Sequence, residues 1–257
     1  MNRIAKAFTK GAAFIPFIVG GDPDIETTEK LLYALRDAGA DAIEIGIPFS
    51  DPVAEGPVIE AAAARALLAG CTVDQLFDLV ARVRGEIDIP ILFMTYYNPI
   101  FAYDIDRFVA RCVQAGLDGL IVPDLPFEER AELYTPCVAE GLELISLIAP
   151  TTGERIPEIA LNSSGFLYCV SSLGVTGVRN TLDNSARQMI ARVKTVSDIP
   201  CAVGFGISTP EQAKEMAQFA DGVIVGSAIV RIAEKYGRDC VEPIYQFAKE
   251  IKENIIK

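Results

Sequence analysis

The chain has 257 residues, 51% of them hydrophobic, with 20 Gly and 15 Pro: enough to bury a large core, and a length at which an α/β barrel forms as one domain. It contains no histidine, which excludes Ser-His-Asp and Cys-His nucleophile activation, His-ligated zinc and imidazole acid/base chemistry, and leaves Asp, Glu, Lys, Tyr or Cys as general acid or base. With 35 acidic against 23 basic residues the net charge is −12, and no Lys/Arg-rich block exists, so nucleic acid and anionic membranes are poor partners.

The N-terminus is briefly basic (Arg3, Lys6, Lys10) and then apolar over Gly11–Gly21, but Pro16 interrupts that run and no small-x-small cleavage site closes it. No apolar stretch reaches the roughly 18 residues of a membrane span. The six cysteines (Cys71, Cys112, Cys137, Cys169, Cys201, Cys240) form no C-x-x-C pair and read as reduced thiols. These features predict a cytoplasmic protein.

Short apolar runs then alternate with amphipathic segments. Strands are predicted at 13–19, 42–46, 90–95, 118–122, 142–148, 165–170, 200–204 and 221–225, near-continuously apolar as parallel strands covered on both faces should be. Helical patterns between them include 24–38, 60–69, 73–84, 104–115, 127–140 and 209–218. The last opens with a capping Thr209, Pro210 at the first helical position and Gln212 three residues on. The joints repeat: AGADAIEIG (38–46), AGLDGLIVP (115–123) and FADGVIVGS (219–227) each run from a helix end through an Asp into a strand. Eight such β-then-α units predict a (β/α)8 barrel of one domain over residues 1–257.

On this fold residues ahead of a strand belong to the stability face, and those after it to the active face. Asp41, Asp118, Asp198 and Asp221 precede strands and are expected to be structural. Glu44 lies within the strand Ala42-Ile43-Glu44-Ile45-Gly46, facing either the barrel interior or the helix layer; burial would raise its pKa into an acid/base range. The stiff connection Pro48–Pro57, with three prolines (Pro48, Pro52 and Pro57), carries Glu55 as a possible second carboxylate, and Asp51 as a turn former. Glycine turns follow the last three strands: Gly174-Val175-Thr176-Gly177, Gly204-Phe205-Gly206 and Gly226-Ser227. The latter two are expected to feed straight into helices, whose free N–H groups bind phosphate without Lys or Arg. Alternation leaves the direction of Tyr168 open, and Phe17 and Tyr96 read as core residues.

The stretches FIPFIVGGDPD (14–24), DAIEIGIPFSDPVAEGPVIEAA (41–62), MTYYNPIF (94–101), DGLIVPDLPFEE (118–129), GFLYCVSSLGVTG (165–177), VGFGIST (203–209) and DGVIVGSAIV (221–230) resemble the tryptophan synthase alpha chain family from about Phe8 to Tyr236. The resemblance implies a (β/α)8 barrel with an extra N-terminal helix and its active site at the C-terminal face of the strands. It implies a lyase of tryptophan biosynthesis that cleaves indole-3-glycerol phosphate to indole and glyceraldehyde 3-phosphate. Glu44 matches the family's acid/base, and Glu55 the carboxylate that engages the indole N–H. The family pattern A-D-G-P reads Ala54-Glu55-Gly56-Pro57 here, one methylene longer. Phe17, Tyr96 and Ile121 match walls of the indole pocket, Tyr168 a substrate contact, and Thr176 a loop threonine that bonds the second carboxylate on closure. Gly177, Gly206, Gly226 and Ser227 match the phosphate site. The resemblance implies an α2β2 complex that passes indole to a beta chain; pyridoxal phosphate belongs to that partner, and no cofactor is implied in this chain. A stand-alone lyase would use the same site, and Glu55 also raises a catalytically weak subunit that activates its partner.

Overall fold

Seven consecutive residues from Ala13 to Val19 are buried, as are all four of Ile43–Gly46, Ile91–Met94, Cys201–Gly204 and Gly222–Val225. Strands apolar on both faces must be covered on both, which a closed parallel sheet inside a helical sheath achieves. The computed structural model describes residues 2–170, 182–204 and 206–255. Its strands are β1 (Ala13–Val19), β2 (Ile43–Gly46), β3 (Ile91–Met94), β4 (Gly119–Ile121), β5 (Glu143–Ile148), β6 (Leu167–Val170), β7 (Cys201–Gly204) and β8 (Gly222–Val225). Each pairs in parallel with the next and β8 returns to β1, closing the barrel. The expected (β/α)8 architecture holds.

Around it run α1 (Arg3–Ala7), α2 (Ile25–Asp37), α3 (Pro57–Leu68), α4 (Val73–Val83), α5 (Tyr97–Tyr103) and α6 (Ile105–Ala115). They are followed by α7 (Ala131–Glu140), α8 (Ile156–Leu161), α9 (Leu182–Lys194), α10 (Pro210–Met216), α11 (Ser227–Tyr236) and α12 (Val241–Ile255). The extra N-terminal helix is α1. The helix expected from residue 60 begins at Pro57, because Gly56 supplies an extended N-cap and proline suits the first turn. The pattern over 127–140 divides into a 3₁₀ turn, Phe127–Glu129, and α7. Thr209 caps α10 as predicted, accepting from the Gln212 amide at 3.3 Å, but the Gln212 side chain reaches past it to the Ser208 amide at 2.8 Å.

The acids ahead of strands hold the opposite end of the barrel. Asp41, Asp118 and Asp221 each accept a backbone N–H from the strand before their own: Phe14 at 2.7 Å, Ile91 at 2.9 Å and Cys201 at 2.9 Å. Each also meets a cation, with Lys252 2.6 Å from Asp41, Arg84 3.2 Å from Asp118 and Lys194 2.9 Å from Asp221. Asp198 makes no such bond among the described residues: the corresponding β6 amide, that of Leu167, donates to the Pro200 carbonyl at 2.8 Å instead. All six cysteines are buried and free. Burial pushes the Cys71 thiol up to about 11, so it stays protonated.

Replacing Asp118 by Ala leaves the Ile91 amide and the mostly buried Arg84 guanidinium without this partner. We expect a loss on the order of 3 kcal/mol, read as a lowered urea midpoint at unchanged m-value.

Candidate active site

Glu44 stands in the middle of β2, in register with Phe17 of β1 and Leu92 of β3, and is fully buried. Its charge acts on Tyr168 of β6, on the far side of the barrel, so both side chains face the interior. That settles the direction the sequence left open for each. Among the described residues neither Glu44 carboxyl oxygen has a hydrogen-bond partner. Burial first, and then the charge of Glu55, raise the Glu44 pKa to about 8. A carboxyl so placed is a neutral acid at pH 7 that can give up its proton close to physiological pH.

The walls around it depend on glycine. A Cβ at Gly46 would come within 2.7 Å of the Phe17 ring, and one at Gly204 within 2.5 Å of the Tyr168 hydroxyl oxygen. Hydrogen on those two carbons is what lets both rings lie in the barrel. Ile121, fully buried at the end of β4, shares the level of Gly46 through Met94 in the ladder of β2, β3 and β4.

Glu55 lies half-buried in the connection between β2 and α3. Burial raises its pKa to about 7; a hydrogen bond from Tyr96 opposes the rise, and the Glu60 charge adds to it. Glu55 ionises before Glu44, so the charge of Glu55 opposes ionisation of Glu44, whereas Glu44 is still neutral when Glu55 ionises. Tyr96, 2% exposed, is more than a core residue: its hydroxyl oxygen accepts the Ala54 N–H at 3.0 Å and its ring lies 5.5 Å from that of Phe49. Asp51, expected as a turn former, is bonded by the Ser50 hydroxyl at 2.5 Å.

A cavity of about 580 Å³ opens beside this connection, with Val53, Glu55, Val122, Leu125, Arg130 and Val170 among its lining residues. Sequence reasoning missed Arg130. It lies 3.9 Å over the ring of Phe127, three residues back, and donates to the Ser146 hydroxyl at 3.0 Å, a contact between segments that no local pattern links.

At the last strands, Gly226 is the N-cap of α11 and Ser227 its exposed first residue. No side chain caps this helix, and its first turn carries no acid, which leaves the N-terminal amides facing outward for an anion. Gly206, exposed at φ +88°, lies four residues ahead of α10, whose N-terminus Thr209 already caps. Only the Gly226-Ser227 turn therefore feeds straight into a helix; the expectation for the Gly206 turn is corrected, because Ile207-Ser208-Thr209 intervene. Thr176 and Gly177 lie outside the described residues.

Residues 4–256 match the family described as tryptophan synthase alpha chain. The protein of that description from Lacticaseibacillus casei is 47% identical over 98% of this chain and 95% of its own length. The chain belongs to the tryptophan synthase alpha chain family. The relative from Methanosarcina mazei is 49% identical over 96% of this chain and 90% of its own. Among solved structures, tryptophan synthase subunit alpha from Legionella pneumophila superposes with a TM-score of 0.89 at 38% identity, covering 99% of this chain and 98% of that one. A chain of the tryptophan synthase a2b2 complex from Pyrococcus furiosus gives 0.89 at 38% identity, covering 95% and 99%. Members of the tryptophan synthase alpha chain family are lyases of tryptophan biosynthesis, and the chain is one of them.

Keeping an unpaired carboxyl at Glu44 has a cost that depends on pH. Its folded pKa stands above the unfolded value of 4.5, so the folded state binds the proton more tightly and stability falls as pH rises from about 4.5 through about 8. Glu44→Gln does not titrate. We expect its stability advantage over the parent to grow across that window by a few kcal/mol, measured by urea unfolding at pH 5, 7 and 8.5.

Proposed function

We propose that this chain cleaves indole-3-glycerol phosphate to indole and glyceraldehyde 3-phosphate, and that it passes indole to a tryptophan synthase beta chain in an α2β2 assembly. The observation that carries the catalytic part is the pair of raised carboxyls, Glu44 near 8 and Glu55 near 7, of which the higher is fully buried and without a hydrogen-bond partner among the described residues. Between those values one carboxyl is protonated and the other ionised, the combination that a retro-aldol cleavage of an indole needs.

Glu55, ionised, accepts the indole N–H and stabilises the positive charge that ring protonation creates. Glu44, neutral, gives its proton to indole C3. The bond from C3 to the glycerol chain then breaks, and its electron pair returns to the ring. The hydroxyl on the departing carbon becomes the aldehyde, and its proton goes back to Glu44. Protons and electrons balance, and Glu44 ends as it began. Phe17, Ile121, Tyr96 and Tyr168 wall the ring, and the phosphate rests on the amides of Gly226 and Ser227 beside Gly206. Gly177 and Thr176 would complete the site from the strand-6 turn. The whole chain acts as one barrel domain in the cytoplasm, with pyridoxal phosphate held only by the partner. The partner part is supported by the Pyrococcus furiosus structure, itself an a2b2 complex.

The test is indole release from indole-3-glycerol phosphate by the purified chain, alone and with a beta chain. We expect low activity alone, a rise with the partner, and a fall of about 10³-fold or more in Glu44→Gln. High activity alone would favour a stand-alone lyase, and none in either condition a partner-activating subunit. The profile of kcat/KM against pH should be a narrow bell, because Glu55 must be ionised and Glu44 protonated, with limbs near 7 and 8. Glu55→Asp restores the family pattern in a pocket fitted to the longer side chain; withdrawing the carboxylate by about 1 Å should cost about tenfold or more in kcat.

A further inference from the structure

The side chains that line the cavity do not all face the barrel interior. Leu147 of β5 is in register with Tyr168, which points inward, so Ser146 and Ile148 on either side of it turn to the helix layer. Both line the cavity, together with Arg130, the N-cap residue of α7. The cavity therefore continues from the mouth beside Glu55 into a compartment behind β5. Arg130 is held in place there. Its guanidinium donates to the Ser146 hydroxyl at 3.0 Å and to the Asn162 carbonyl at 2.6 Å. It also lies 3.9 Å over the Phe127 ring and 4.3 Å over that of Tyr134.

A charge shielded from water is ordinarily paired. Arg65 and Arg84 meet carboxylates at 2.8 Å and 3.2 Å. Arg130 has no carboxylate partner among the described residues, and burial disfavours its charge. Of the five N–H groups of a guanidinium, Ser146 and Asn162 take two; the others have no acceptor among the described residues. The Ser146 hydroxyl, which accepts from Arg130, keeps a proton of its own to donate. Arg155, the other cation of the wall, already lies 2.5 Å from Glu128, so the compartment offers a single uncompensated positive charge. Leu144, Ile148 and Ile159 give it an apolar lining. The whole cavity, about 580 Å³, is within the range of small-molecule sites, roughly 300–1,000 Å³. We propose that the compartment behind β5 binds a small monocarboxylate with an apolar body, its carboxylate held by Arg130 and Ser146 and its body by the β5 and α8 side chains. A planar carboxylate matches the guanidinium fork in shape and in charge, whereas a phosphate dianion would leave one charge unmatched. The site uses no residue of the Gly226-Ser227 turn, and it stands whether or not the catalytic reading of Glu44 and Glu55 does.

The probe is 4-phenylbutyrate, which carries neither indole nor phosphate, titrated into the full chain by calorimetry beside its uncharged amide. We expect a single site that takes the acid at least about tenfold more tightly than the amide, because only the acid forms a charge-assisted pair with Arg130. Arg130→Gln should bring the acid down to the level of the amide and leave the amide unchanged. Ser146→Ala keeps the cation and carries the test if Arg130→Gln loses its fold, seen as a collapsed urea midpoint. It should weaken the acid about threefold or more without touching the amide. Inorganic phosphate, added at about 10 mM, should not displace the acid. Equal binding of acid and amide overturns the proposal, as does no binding of the acid up to about 10 mM. Displacement by phosphate would move the acid to the α11 amides and overturn it too. Full affinity in a folded Arg130→Gln, or in Ser146→Ala where Arg130→Gln does not fold, has the same consequence.

Discussion

The inside of a closed eight-stranded barrel holds few side chains, and each must fit against those from strands across the axis. Everything at the site depends on that limit. Phe17 lies in the barrel because residue 46 is glycine, and Tyr168 because residue 204 is. Glu44 shares this space with no hydrogen-bond partner among the described residues, in an interior that water does not enter freely. A buried carboxyl in that state lowers its cost by remaining protonated, which is what makes it an acid at neutral pH.

The second carboxylate is governed by a different balance. Glu55 is half-buried on a connection stiffened by prolines, and its pKa is the lower of the two because it is less buried than Glu44. The two values differ because Glu44 is fully buried and feels the charge of Glu55, while Glu55 keeps part of its surface in water.

The two ends of the barrel treat charge in opposite ways. At the stability end Asp41, Asp118 and Asp221 are each bonded to an amide of the neighbouring strand and paired with a cation. At the other end the first turn of α11 has no side-chain cap and no acid, so its amides are free for an anion in a chain of net charge −12. Backbone dipoles bind phosphate without adding a basic patch, which is consistent with the acidity of the whole molecule.

Much of this was legible in the residues alone. The period of apolar runs and the repeated Asp-strand joints were enough for the barrel, and the absence of histidine was enough to make carboxylates candidates for the acid/base groups, because hydropathy and side-chain chemistry act locally. The direction of Glu44 and Tyr168 was not, since a four-residue strand buried on both faces has no polar side to mark which way it points. Nor was the hydrogen bond from the Ala54 amide to the Tyr96 hydroxyl, which joins residues 42 apart in two connections, or the place of Arg130 in the cavity wall. Strand identity and residue chemistry are properties of the sequence by itself; which side chains share the dry interior, and therefore what their protons do, is decided only when the barrel closes and sets the solvent and charge around each one.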